Sequence, residues 1–91
     1  SPAQALRAIE ESKARLERAI DADKRTIEAL KGTKEKDQKK LGQSLEKGVS
    51  HLSYTVAELG RLEKKAREAA VERGDLAPGT SSDIARAGSS D

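Results

Sequence analysis

Three side chains that can exchange protons lie within residues 51–58: His51, Tyr54 and Glu58. Imidazole, phenol and carboxylate groups are the usual carriers of acid–base catalysis. Steps of three and four residues place all three on one face of a helix, and that face points away from the apolar seam described below. A single exposed helix face supplies no cleft to desolvate them. We therefore interpret the trio as a surface patch for a protein partner, since tyrosine is favoured at interfaces, or as ordinary surface residues.

Four lysines cluster at the predicted tip of a helical hairpin: Lys34, Lys36, Lys39 and Lys40. Ammonium groups at this density can contact the phosphates of a nucleic acid. Glu35 and Asp37 dilute the positive charge, and no aromatic side chain lies near enough to stack on a base. The cluster predicts either phosphate contacts or a solvated tip. A nucleic-acid-binding hairpin is therefore the alternative function.

Other kinds of site have no candidate residues. The chain holds one histidine and no cysteine, which excludes disulfides, thiolate metal ligands and thiol nucleophiles. No glycine-rich phosphate loop, nucleophile elbow or paired-carboxylate site is present. The net charge is only +2, less than a strongly basic nucleic-acid binder shows. The sequence predicts a protein that is not an enzyme, with no cofactor, no metal and no small-molecule substrate.

The first predicted element is a helix over residues 3–31. Ser1 is its expected N-cap, and Pro2 occupies the first helical position. Apolar residues recur along it at alternating steps of three and four, the heptad spacing of helices that pack lengthwise. This seam consists of Leu6, Ile9, Leu16, Ile20, Ile27 and Leu30, interrupted by Lys13 and Asp23. A neighbouring stripe is mostly small: Ala5, Ala8, Ser12, Arg15, Ala19, Ala22, Thr26 and Ala29. These small residues either admit a third helix or reflect the helix propensity of alanine.

A second helix is predicted over residues 34–73, after a turn at residues 32–33. Gly32 suits the left-handed conformation that ends a helix, and Thr33 suits the next N-cap. Residues 34–43 are polar enough to form a loop instead. The second seam consists of Leu45, Val49, Leu52, Val56 and Leu59, flanked by Leu41 and Leu62. Residues 1–73 thus read as an all-α, antiparallel, coiled-coil-like hairpin of two helices.

A turn at residues 32–33 also predicts which residues face each other. Leu6 would meet Leu59, Lys13 would meet Leu52, and Ile20 would meet Leu45. Residues beyond Leu62 would then overhang the first helix. A lone pair of helices buries little apolar surface, so oligomerisation or a helical protein partner is expected to complete a helical bundle.

Two copies of the first helix also match each other when they run antiparallel. Lys13 of one copy then meets Asp23 of the other, twice by symmetry. Polar pairs within an apolar seam can set register and oligomeric state, which predicts this role for Lys13 and Asp23. In the alternative, Lys13 reaches outward to water and Asp23 lies at a wet rim.

The remaining expectations concern the tail and the location. Residues 74–91 are rich in Gly, Ser and Asp and predict a flexible C-terminal tail. No run of about 18 apolar residues exists, so no membrane span is expected. Without cysteines or a visible signal peptide, a cytoplasmic location is expected. The sequence therefore predicts a structural assembly or adaptor protein that acts through helix–helix contacts.

Overall fold

The chain folds as two long helices joined by a short loop, and the computed structural model describes residues 1–77. Helix α1 is Pro2–Leu30 and helix α2 is Lys36–Glu72. Within residues 1–77 there is no strand, so the predicted all-α hairpin is confirmed. Ser1 caps α1 as expected: its Oγ accepts from the amide of Gln4, whose side chain accepts in turn from the Ser1 amino group.

The connection between the helices is longer than the predicted turn at residues 32–33. Gly32 takes the expected left-handed conformation, with a φ of 79°. The N-cap of α2 is Glu35, because its carboxylate accepts from the amides of Asp37 and Gln38. The prediction of Thr33 as N-cap is therefore wrong. Thr33 instead accepts from the amide of Glu35 and so orders the loop one step before the helix.

Helix α2 ends in a complete Schellman motif. The amide of Gly74 donates to the carbonyl of Val71, and the amide of Asp75 donates to the carbonyl of Ala70. Gly74 has a φ of 78°, which only glycine adopts at little cost. Leu76 is half-buried and also donates to Ala70, so ordered structure continues past the predicted hairpin limit at residue 73. The rest of the predicted tail, residues 78–91, lies outside the described residues.

The two helices pair in a register that differs from the predicted one. Lys13 pairs with Glu63 at 3.1 Å, about eleven residues further along α2 than the predicted partner Leu52. Ile20 lines a cavity together with Val56, and a Cβ on Gly42 would lie 3.9 Å from Leu30. The predicted pairs of Leu6 with Leu59 and Ile20 with Leu45 are therefore wrong. The predicted overhang beyond Leu62 is wrong too, since that part of α2 contacts α1.

Burial is greatest at the end of the hairpin remote from the loop. Leu6 and Ala70 are fully buried, and Ile20 is 8% exposed. Most other apolar side chains between the helices are only half-buried, because two helices can cover each other from one direction alone. Neither α1 nor α2 combines the length and the apolar character that a membrane span requires.

Candidate helix–helix interface

A charged network crosses the hairpin near its buried end. Arg67 Nη2 lies 3.5 Å from Glu10 Oε2 on α1 and 4.0 Å from Glu63 Oε2 one turn earlier on α2. Glu63 also accepts from Lys13 Nζ at 3.1 Å. The Glu10 side chain is only 5% exposed and the Glu63 side chain 15%. Two acidic and two basic groups thus alternate across the contact, and each charge has an opposite neighbour.

This network favours the observed pairing of the two helices over shifted ones. Apolar heptads can slide past each other by whole turns at small cost, whereas a shift here would leave Lys13 and Glu10 in the contact without opposite charges. Glu10, Glu63 and Arg67 were missed as site residues in the sequence. A usable signal existed, because Lys13 interrupts the α1 seam and Glu63 interrupts the continuation of the α2 seam.

One side of the hairpin is polar. A cavity of about 300 Å³ lies on this side between the helices, lined by Glu17, Ile20, Asp21, Lys24, Ser53 and Val56. On α2 the same side continues with exposed polar residues at Lys39, Gln43, Glu46, Ser50 and Lys64. We call this side the polar face.

The opposite side of the hairpin is apolar. A helix has 3.6 residues per turn, which fixes the residues that flank the contact on the side away from Glu17 and Ser53. In an antiparallel pair these flanks lie on the same side of the hairpin. On α1 they are Ala5, Ile9, Ser12, Leu16, Ala19, Asp23, Thr26 and Leu30, and on α2 they are Leu41, Leu45, Gly48, Leu52, Thr55, Leu59 and Leu62. We call this set the apolar face.

The apolar face is incompletely covered within residues 1–77. Leu41 and Leu62 are each 49% exposed. The predicted seam residues lie at the helix contact or on this face. Leu6 and Ile20 are buried, whereas the others are half-buried: Ile9, Leu16, Ile27, Leu30, Leu45, Val49, Leu52, Val56 and Leu59.

The two charged interruptions of the α1 seam have different surroundings. Lys13 is bonded to Glu63 in its own chain, so it has a carboxylate partner without a second copy. Asp23 is half-buried on the apolar face. Among residues 1–77 the Asp23 side chain makes no hydrogen bond or ion pair. The contact of Lys13 with Asp23 of another copy stays a prediction.

His51, Tyr54 and Glu58 make no hydrogen bond or ion pair with one another. His51 is exposed, and its backbone carbonyl accepts from the Thr55 hydroxyl. Tyr54 is 65% exposed. Glu58 pairs with Arg61 one turn later on the same helix. Their role as a partner patch stays a prediction.

The lysine cluster lies at the loop end of the hairpin. Lys34, Lys36, Lys39 and Lys40 are all exposed. Nearby, Glu28 accepts from Lys31 Nζ at 2.8 Å, and this hydrogen bond and charge raise the pKa of Lys31 above its ordinary value. Both side chains of that pair are largely exposed, so solvent screens the interaction. Phosphate contacts by the four lysines stay a prediction.

The remaining findings concern metal binding and similarity to known proteins. Within residues 1–77, no group of three or more His, Cys, Asp or Glu side chains comes together to hold a metal ion. The chain matches no protein-family model, no curated protein and no solved structure. What it does must therefore be argued from its own surface.

Proposed function

We propose that this protein is a non-enzymatic assembly or adaptor hairpin that packs its apolar face against helices of another subunit. The observation that supports the proposal is the division of the hairpin into a polar face and an apolar face. Contiguous apolar surface of this kind is typical of sites where a protein binds a partner, and Leu41 and Leu62 are its two most exposed leucines.

The energetics of a two-helix protein support the same proposal. Only Leu6, Ile20 and Ala70 of the described apolar side chains are buried. Small domains with so little buried surface are usually stabilised by association with another chain or by covalent cross-links. This chain has no cysteine for a disulfide. Each leucine that a partner covers adds about 1.5–3 kcal/mol at full burial. Docking would therefore contribute to both assembly and folding.

The proposal can be tested in cells that express the full chain. In size-exclusion chromatography of a gentle lysate, the protein should elute far above its 9.8 kDa mass. Leu62→Glu should shift it to the position of a monomer, because a carboxylate cannot enter an apolar contact without loss.

Ser50→Glu is the matched control, since it introduces the same carboxylate at an exposed position on the polar face. It should leave the elution unchanged. Elution of the unmodified chain as a monomer would contradict the proposal, and so would equal effects of the two substitutions.

The alternative function is nucleic-acid binding by the tip. It draws on the exposure of all four lysines around the start of α2. Fluorescence anisotropy with labelled duplex DNA and single-stranded RNA at low salt would detect it. Replacing Lys36, Lys39 and Lys40 by Gln should abolish binding, whereas replacing Lys64 and Lys65 should not. Absence of salt-dependent binding by the unmodified chain would exclude this alternative.

A further inference from the structure

We propose that the apolar face is covered by a second copy of this chain, with the two α1 helices antiparallel and Asp23 of each copy bound by Ser12 and Arg15 of the other. The inference deepens the proposed function and rests on it, because it names the occupant of the same face.

Side-chain sizes along α1 match in this arrangement. When residue 5 of one copy lies opposite residue 30 of the other, Ala5 meets Leu30, and Ala19 meets Leu16. Thr26 likewise meets Ile9. Any heptad stripe can be laid antiparallel on its own copy, so the spacing alone is uninformative. The spacing does not dictate that each large side chain meets a smaller one, which is the arrangement that lets helix surfaces interdigitate.

The same register brings the polar residues of the face together. Asp23 meets Ser12 of the other copy, so two of the three polar members of this stripe face each other, while the third, Thr26, meets Ile9. Arg15 Nη2 donates to Ser12 Oγ at 3.0 Å. The Ser12 hydroxyl proton is then free to donate, as are further guanidinium N–H groups.

Asp23 supplies the missing acceptor. Asp23 is half-buried, and among residues 1–77 its carboxylate has no ion-pair or hydrogen-bond partner. Its carboxylate would receive a hydroxyl and a guanidinium donor in each of two symmetric clusters. Such charge-assisted hydrogen bonds are the stronger kind in a partly dry contact. Lys13 need not take part, because it is held by Glu63.

The available area suits a stable dimer. The stretch from Ala5 to Leu30 is about 38 Å long at 1.5 Å per residue, and two packed helices are about 20 Å wide. The apolar face therefore offers on the order of 750 Å² per copy, close to the roughly 800 Å² of a standard interface. Leu52, Leu59 and Leu62 of α2 lie near the middle of this area and would form its apolar centre.

A charge swap in the purified full chain tests the polar cluster. Sedimentation equilibrium should show a dimer for the unmodified chain. Arg15→Glu and Asp23→Lys should each weaken it by about tenfold or more, and the double substitution should restore it to within about threefold. Asp21→Lys is the matched control on the polar face and should change nothing. A double variant no better than the singles would overturn the inference.

Cysteine cross-linking tests the orientation, and the chain has no native cysteine to interfere. In the proposed register the two copies of residue 19 are about 5 Å apart along the helix axis. Ala19→Cys should therefore form a disulfide-linked dimer on mild oxidation. Ala14→Cys, on the opposite flank of α1, should not. Cross-linking of Ala14→Cys, or failure of both in a dimer, would overturn the antiparallel arrangement.

The two proposals can fail separately. If the cellular protein elutes as an assembly that Leu62→Glu disrupts while the purified chain is a monomer, the apolar face binds a different helical protein. The self-pairing is then wrong and the assembly function stands. If the cellular protein is itself a monomer, the proposed function fails and the inference fails with it.

Discussion

At the scale of single residues, Glu63 is the carboxylate that contacts both basic groups of the charged network. It accepts from Lys13 on the other helix and lies within 4.0 Å of Arg67 on its own. Its side chain is only 15% exposed, so water screens these charges less than at an open surface. Removing this carboxylate would leave two basic groups facing each other in a partly dry contact.

We expect Glu63→Gln to lower the free energy of unfolding by about 1–2 kcal/mol, since it leaves the Lys13 ammonium half-buried beside a neutral amide. Urea unfolding followed by circular dichroism, at one fixed protein concentration, measures this. Glu28→Gln is the control because its partner Lys31 is well exposed, and it should cause no measurable change. Equal losses in both variants would show that the network is no more than a surface ion pair.

At the scale of elements, the glycines within α2 and the glycine just after it have different roles. A Cβ on Gly60 would meet nothing within 4 Å, so close packing does not explain this glycine. Gly74 is different, because its φ of 78° is required by the Schellman motif. Gly42 faces Leu30 at ordinary contact distance. The helix is therefore locally weakened at Gly60, whereas its end depends on Gly74.

Alanine substitutions should have opposite effects at these two positions. Gly60→Ala should raise the free energy of unfolding by about 0.5–1 kcal/mol through helix propensity. Gly74→Ala should lower it by about 1 kcal/mol, since alanine is strained at positive φ. Chemical denaturation of both variants, at matched concentration, checks the signs. A stabilising effect at Gly74 would mean that the cap contributes little.

The elements themselves could be predicted from the sequence because their signals are local. Heptad spacing, the cap at Ser1, and the glycines that end each helix all act within one or two turns. The N-cap of α2 was misplaced because both Thr33 and Glu35 carry a side-chain oxygen at a suitable spacing. Threonine has the stronger preference as N-cap, but the Glu35 carboxylate reaches two amides.

The register of the hairpin could not be predicted from apolar spacing. Leucine, isoleucine and valine fill a seam almost equally well after a shift of whole turns, so the assumed length of the loop decided the pairing. The discriminating residues were Lys13 and Glu63, which are 50 positions apart in sequence. What links these two residues is the free-energy cost of burying either charge without the other.

At the scale of the whole molecule, the hairpin is a layer with two unlike faces. Such a layer exposes on one side what a bundle would bury, and its folding should therefore be coupled to association. The unfolding temperature of the chain should rise with protein concentration. Leu62→Glu should remove this dependence, because Leu62 is exposed in the single chain and contributes mainly to docking.

Thermal unfolding at micromolar and at hundred-micromolar concentrations measures the effect. Ser50→Glu on the polar face is again the control and should keep the concentration dependence. An unfolding temperature that is independent of concentration in the unmodified chain would show that the hairpin is stable alone.

The concentration of burial far from the loop has a kinetic consequence. Leu30 and Gly42 flank the loop and are half-buried, whereas Leu6 and Ala70 at the other end are fully buried. Contacts near the loop close few residues and form at low entropic cost, whereas those at the far end span more than 50 residues. The most buried contacts should therefore form last.

Leu30→Ala should accordingly slow refolding, while Leu6→Ala should leave the refolding rate almost unchanged and speed unfolding instead. Stopped-flow measurements across a range of urea concentrations separate the two rates. The contacts that bury most surface would then govern how long the hairpin stays closed rather than how quickly it closes, and fraying should begin at the end that is packed best.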